Sequence, residues 1–128
     1  MATLIKARRV ANESPPSPER EVIRLEPGDD PGSVADRLER AERVEVRFPK
    51  FGDGRAYSIA YLLRKRYGYR GELRAVGHVV RDLLHYMEFC GFDAFLLREG
   101  EDVDEALSGF TDFSTAYQRA GPEPGFTG

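Results

Sequence analysis

The sequence holds one cysteine, Cys90, and no tryptophan, and neither sign of charge gathers into a block. A single thiol excludes an internal disulfide and the multi-cysteine ligand sets of zinc and iron–sulfur centres. No stretch reaches the ~20 apolar residues of a membrane-crossing helix, and the opening MATLIKARRVANESPP has no apolar core of signal-peptide length. Nineteen basic against 22 acidic side chains, a net charge of -3, lack the concentrated positive field that broad nucleic-acid binding needs. Cofactor fingerprints are missing too: there is no GxGxxG after a strand, no GxxxxGK followed by Ser or Thr, and no GxSxG. The expectation is a cytoplasmic protein that engages neither membrane nor nucleic acid and has no evident cofactor of its own.

What is present suits one folded unit. The 128 residues are 41% hydrophobic and include six tyrosines and eight phenylalanines, enough for a single core. Asn12-Glu13-Ser14-Pro15-Pro16-Ser17-Pro18 and Gly121-Pro122-Glu123-Pro124-Gly125 resist regular structure. Residues 1–20 are therefore expected to be a flexible arm, 21–119 the domain, and 120–128 a flexible tail.

Between those ends, strand-like and helix-like periods alternate. Glu21 to Leu25 is a short strand pattern; Ser33, with Asp36 three residues on, offers a cap for a helix marked by Val34, Leu38 and Ala41. Arg43 to Phe48 alternates as a second strand, and Ala56, Ile59, Ala60, Leu63 and Tyr67 trace a helix that Gly68 should end. Gly71 to Val76 is the third strand, Val80, Leu83, Leu84 and Met87 mark a helix stopping at Gly91, and Phe92 to Leu97 is the fourth strand. Val103, Ala106, Leu107 and Phe110 give a last helical face, with Thr111 to Tyr117 ambiguous. Strands separated by helices must run parallel, so the fold expected is α/β: about four mainly parallel strands in an open sheet or half-barrel.

In either architecture, ligands meet the loops at the carboxyl ends of the strands. Those loops carry Asp29 and Asp30, then Lys50, Asp53 and Arg55, then Gly77 and His78, and last Arg98. The loop Phe48-Pro49-Lys50-Phe51-Gly52-Asp53-Gly54-Arg55 is the leading working surface. Its glycines permit a tight turn, Asp53 can cap the helix that follows, and Lys50 and Arg55 beside backbone N–H groups suit an oxyanion such as sulfite, sulfate or phosphate. Turn and cap chemistry alone would account for the same residues. Arg74 falls in mid-strand and should be buried with a partner, Asp82 or Asp53; it reads equally as an anion clamp or a structural ion pair. His78 could serve as acid or base, whereas His85 has no placed role. His78 and Asp82 alone are too few ligands, so no metal is expected.

Simpler explanations suffice elsewhere. Cys90 ends a helix, where the dipole disfavours a thiolate, and reads as a buried, inert thiol. Tyr57, Tyr61, Tyr67 and Tyr69 should pack a helix flank, and Arg64-Lys65-Arg66 should complement a helix end.

The string from Phe48 to Phe95 resembles a bacterial family, domain of unknown function 934, described as a probable oxidoreductase involved in sulfite reduction. The resemblance rests on F-x-x-F-x-D-G-R at Phe48 to Arg55, Ser58, G-x-L-R-A-x-G from Gly71 to Gly77, Asp82, and C-G-F-D-A-F from Cys90 to Phe95. The chain departs from the family pattern at His78, where an acidic residue is usual, and at Asp82-Leu83, where Asp-Gln is common; these departures argue against a catalytic His78. The resemblance implies a link to assimilatory sulfite reduction beside a sulfite reductase, whose sirohaem and iron–sulfur cluster would belong to that partner. The function expected is an accessory protein that binds sulfite reductase, an electron carrier or an oxyanion through Lys50, Asp53, Gly54, Arg55, Ser58, Arg74, Gly77, His78 and Asp82. The alternatives are a small enzyme acting on an anionic substrate, with Asp53 and Asp82 as acid–base groups, and a homodimeric scaffold joined through exposed tyrosines.

Overall fold

The structure, a computed structural model, describes residues 3–6, 9–11, 20–50 and 54–108. They form a six-stranded open sheet with helices, so the α/β expectation holds. The strands are β1 (Thr3–Lys6), β2 (Arg9–Ala11), β3 (Glu21–Leu25), β4 (Ala41–Phe48), β5 (Glu72–Gly77) and β6 (Ala94–Leu97), in the order β2-β1-β6-β5-β4-β3. The four expected strands, β3 to β6, are parallel and adjacent in chain order. Helix α1 (Arg55–Lys65) links β4 to β5, and a 3-10 turn (Arg81–Leu83) followed by α2 (Leu84–Cys90) links β5 to β6. Residues 103–108 are helical, while Phe110, Thr111 to Tyr117 and the tail 120–128 lie outside the described residues. No helix among the described residues is long and apolar enough to cross a membrane.

Two expectations need correction. Residues 3–6 and 9–11, expected within a flexible arm, are strands: β1 pairs antiparallel with β6 and β2 with β1. The four-residue run Thr3–Lys6 is too short for its period to stand out, yet Ile5 is completely buried in the core. The first crossover is a 3-10 helix, Pro31–Arg40, rather than an α-helix capped by Ser33. Asp30 is its cap, accepting from the Gly32 N–H, and the Ser33 hydroxyl donates to the Asp30 carbonyl. Ala41, expected on the helical face, instead opens β4.

Consecutive parallel strands joined by crossovers of one hand carry their helices on one face. The core follows that rule: Ile23, Leu25, Val44, Val46, Leu73, Ala75, Phe95 and Leu97 pack with Ile59, Leu63, Leu84 and Met87. Alternate strand residues point to the other face. There β4 and β5 present Arg43, Glu45, Glu72 and Arg74, with Arg43 opposite Glu72 and Glu45 opposite Arg74.

The carboxyl end of the sheet is closed by a glycine. Gly77 holds φ +88°, and a Cβ there would lie 2.5 Å from the Phe48 carbonyl oxygen. That oxygen accepts from the His78 N–H at 2.7 Å, so close approach of the two backbones and the turn into His78 both need Gly77. Gly77→Ala is expected to destabilise the protein by about 2 kcal/mol or more, combining left-handed strain with the clash. Urea unfolding measures it; an unchanged midpoint would refute the closure.

Candidate functional site

The edge formed by the carboxyl ends of β4, β5 and β6 gathers part of the expected site. α1 begins immediately after β4's loop, and its N-cap is Gly54, with no side-chain cap and no acidic residue in the first turn. Asp53, expected to cap it, lies outside the described residues. Arg55 reaches across to the loop after β3: a Cβ at Gly28 would sit 3.3 Å from its Nη1. Lys50 is exposed two residues past the end of β4.

The Ser58 N–H donates to the Gly54 carbonyl at 3.2 Å, and its hydroxyl leans on that oxygen at 3.4 Å. Its hydroxyl therefore turns back on its own helix.

His78 is half-buried, and its Nδ1 lies 2.9 Å from Arg98 Nη1. A guanidinium only donates, so Nδ1 accepts and the imidazole proton sits on Nε2. The pair joins the ends of β5 and β6. The acidic residues of the first loop are engaged locally: Asp29 accepts from the Glu26 N–H and Asp30 from Gly32. Glu26 pairs with Arg47. Among the described residues, the strand ends and the start of α1 thus carry Lys50, Arg55 and Arg98, with no acidic residue in the first turn of α1.

Arg74 is elsewhere. It is 3% exposed, lies three residues before the end of β5, and faces away from the helices. Its Nε donates at 2.6 Å to Glu72 Oε2, two residues earlier on the same strand, a partner the expectation did not name. Lys6 Nζ holds the other Glu72 oxygen at 2.8 Å. Burial pushes the Glu72 carboxyl up, but hydrogen bonds from Lys6 and Arg74 outweigh it and leave the group below its ordinary value. Asp82 is exposed in the 3-10 turn before α2.

An aromatic surface adjoins the edge. The Phe48 and Tyr57 rings meet edge-on at 5.0 Å, and the Tyr57 and Tyr86 rings meet at 4.7 Å with their planes tilted by 54°. Tyr57 is half-buried, as a helix-flank residue should be, but Tyr61, Leu83 and Tyr86 are 37%, 38% and 45% exposed. The spacing of the tyrosines marked a flank; Leu83 in the 3-10 turn and Tyr86 in α2 belong to the next crossover and could be joined to it only by the fold.

Cys90 is buried, and burial pushes its thiol up to about 11. Tyr69 is also buried, and burial takes its phenol to about 12. Arg64, read as a helix-end cation, is a clamp: its Nε donates to Gly91 O at 2.9 Å, and Nη1 donates to Tyr69 O at 3.0 Å and Gly71 O at 2.8 Å.

Two measurements follow. Glu72→Gln should cost roughly 3 kcal/mol at pH 7, because it removes the carboxylate between two cations in the sheet. A depressed carboxyl stabilises the fold above its unfolded value and loses that contribution as pH falls, so mutant and wild-type urea midpoints should converge in acid. A gap that does not depend on pH would contradict the ion pairs. Native Cys90 should resist a disulfide reagent at pH 8 and react once on unfolding. Both raised groups favour the protonated native state, so stability should fall as pH climbs from 9 towards 12, each group costing up to about 3 kcal/mol when ionised.

A family model described as a bacterial protein of unknown function (DUF934) matches residues 22–126. No curated protein matches the chain.

Proposed function

We propose a role in sulfite reduction for this chain, which belongs to the bacterial family DUF934: it is an accessory protein that docks on sulfite reductase and presents a cationic edge to an oxyanion or a carrier's anionic group. The observation that carries this reading is the adjacency of two surfaces. Arg55, Lys50 and the His78–Arg98 pair follow the strand ends of the carboxyl edge, and exposed Tyr86, with exposed Leu83 in the turn before its helix, connects to that edge through Tyr57, whose ring meets Phe48 at the end of β4. Apolar side chains grouped beside charged ones suit a protein partner, with tyrosines as anchors and arginines steering the approach. The pathway itself rests on the family resemblance. Arg74 has no part in this site, because it lies within the sheet against Glu72.

The exposed tyrosines also favour a second reading, a homodimer closed through the same patch. Light scattering over a concentration series separates the two, since a scaffold would gain mass as concentration rises.

The deciding experiment is retention of sulfite reductase by the immobilised protein. Wild type is expected to hold it, and Tyr86→Ala combined with Arg98→Glu to weaken it at least about tenfold, equivalent to 1.4 kcal/mol. No retention, together with unchanged growth on sulfate after deletion, would remove the proposal. Calorimetric titration with sulfite and sulfate tests the edge for free anions, and Arg55→Ala should reduce any heat observed.

A further inference from the structure

The carboxyl edge is one end of the sheet. At the opposite end of the sheet, by the amino ends of β4 and β5, an open cleft of about 420 Å³ lies between the 3-10 helix and the turn after α1. Its walls include Arg20, Leu38, Glu39, Tyr67, Tyr69 and Arg70. We infer that this cleft binds a small organic anion with a flat apolar body, a monocyclic aromatic phosphate, sulfonate or carboxylate. The inference is independent of the carboxyl-edge reading, since the two places share no residue.

The walls are held in position before any ligand arrives. The Tyr69 hydroxyl donates to Glu72 O at 3.0 Å, and Arg64 grips the Tyr69 and Gly71 carbonyls from behind, with its guanidinium 5.6 Å from the Tyr69 ring centre. Arg20 Nη2 donates to Ala41 O at 2.8 Å, which fixes one cation at the margin. Both tyrosines rest on glycines. A Cβ at Gly71 would come within 2.5 Å of the Tyr69 hydroxyl oxygen, and one at Gly32 within 2.8 Å of the Tyr67 hydroxyl oxygen. Side chains at those positions would push the rings from their places.

Size and charge then select the ligand. A volume of about 420 Å³ falls in the lower range of small-molecule sites and admits a ring with one head group, not a dinucleotide. Two guanidiniums against the single carboxylate of Glu39 favour an anionic head, which arginine can hold through paired N–H donors. Two tyrosine rings and Leu38 suit a flat apolar body. Arg70 is exposed and, among the described residues, has no ion pair to break before it engages a ligand.

The test is an amide NMR titration of the full chain with phenyl phosphate, using inorganic phosphate and phenol as the two halves. Phenyl phosphate should give saturable shifts at Leu38 and from Tyr67 to Gly71, at least about tenfold tighter than either half. Arg70→Ala, a surface change, should keep the spectrum folded and weaken binding about fivefold or more, with Arg70→Lys recovering part of the loss. Absence of saturation up to about 10 mM would overturn the inference. So would indifference to Arg70→Ala, or shifts confined to His78 and Arg98, which would place the ligand on the carboxyl edge instead.

Discussion

Two carboxylates hold the face of the sheet that points away from the helices. Glu45 takes Arg43 at 2.7 Å and Arg24 at 3.3 Å, while Glu72 takes Arg74 at 2.6 Å and Lys6 at 2.8 Å. Arg43 and Arg74 are 8% and 3% exposed, so each needs an opposite charge at hand in the middle of the sheet. The same carboxylates tie strands together. Glu45 couples β4 to β3, and Glu72 reaches past β6 to β1, where the small, buried Ala94 leaves room for Lys6. The amino-terminal strands are thus joined to the parallel strands by charge on one face and by Ile5 on the other.

This arrangement settles which arginines serve the fold and which face outward. Arg64 and Arg74 are absorbed by carbonyls and carboxylates inside the structure, whereas Arg98 and Arg70 stand at opposite ends of the sheet, on surfaces able to meet something else. Charge counts along the chain cannot separate these cases, because the net value of -3 averages over both.

Much of the frame could be read from residue order. β3 matches the strand pattern residue for residue, Gly68 and Gly91 end their helices with φ of +66° and +125°, and Cys90 is buried as its position implies. The Arg74 partner was legible in principle, since a period of two puts Glu72 and Arg74 on one face of a strand. Looking to the helices and loops for Asp82 or Asp53 overlooked a neighbour on the same strand. β1 and β2 escaped because strands of four and three residues carry too few repeats to reveal a period. The cleft escaped for a different reason. Its walls come from residues 20, 35–41 and 67–71, whose meeting depends on how the crossovers pack. At the carboxyl edge, residue order indicated Arg55, His78 and Arg98 by their strand-end positions, but not that His78 and Arg98 bond to each other.

The sequential order of β3 to β6 has a consequence for how the carboxyl edge can work. Doubly wound sheets reverse direction midway, and the loops diverging at that reversal open a crevice for a ligand. Here the parallel strands never reverse, so successive loops stand side by side along a ridge. An anion held by Arg55 or Arg98 would remain wetted on its outer side, with much of its charge screened by water. Among the described residues, such a ridge gains its outer wall only from a surface laid against it, which makes the geometry that of half a site.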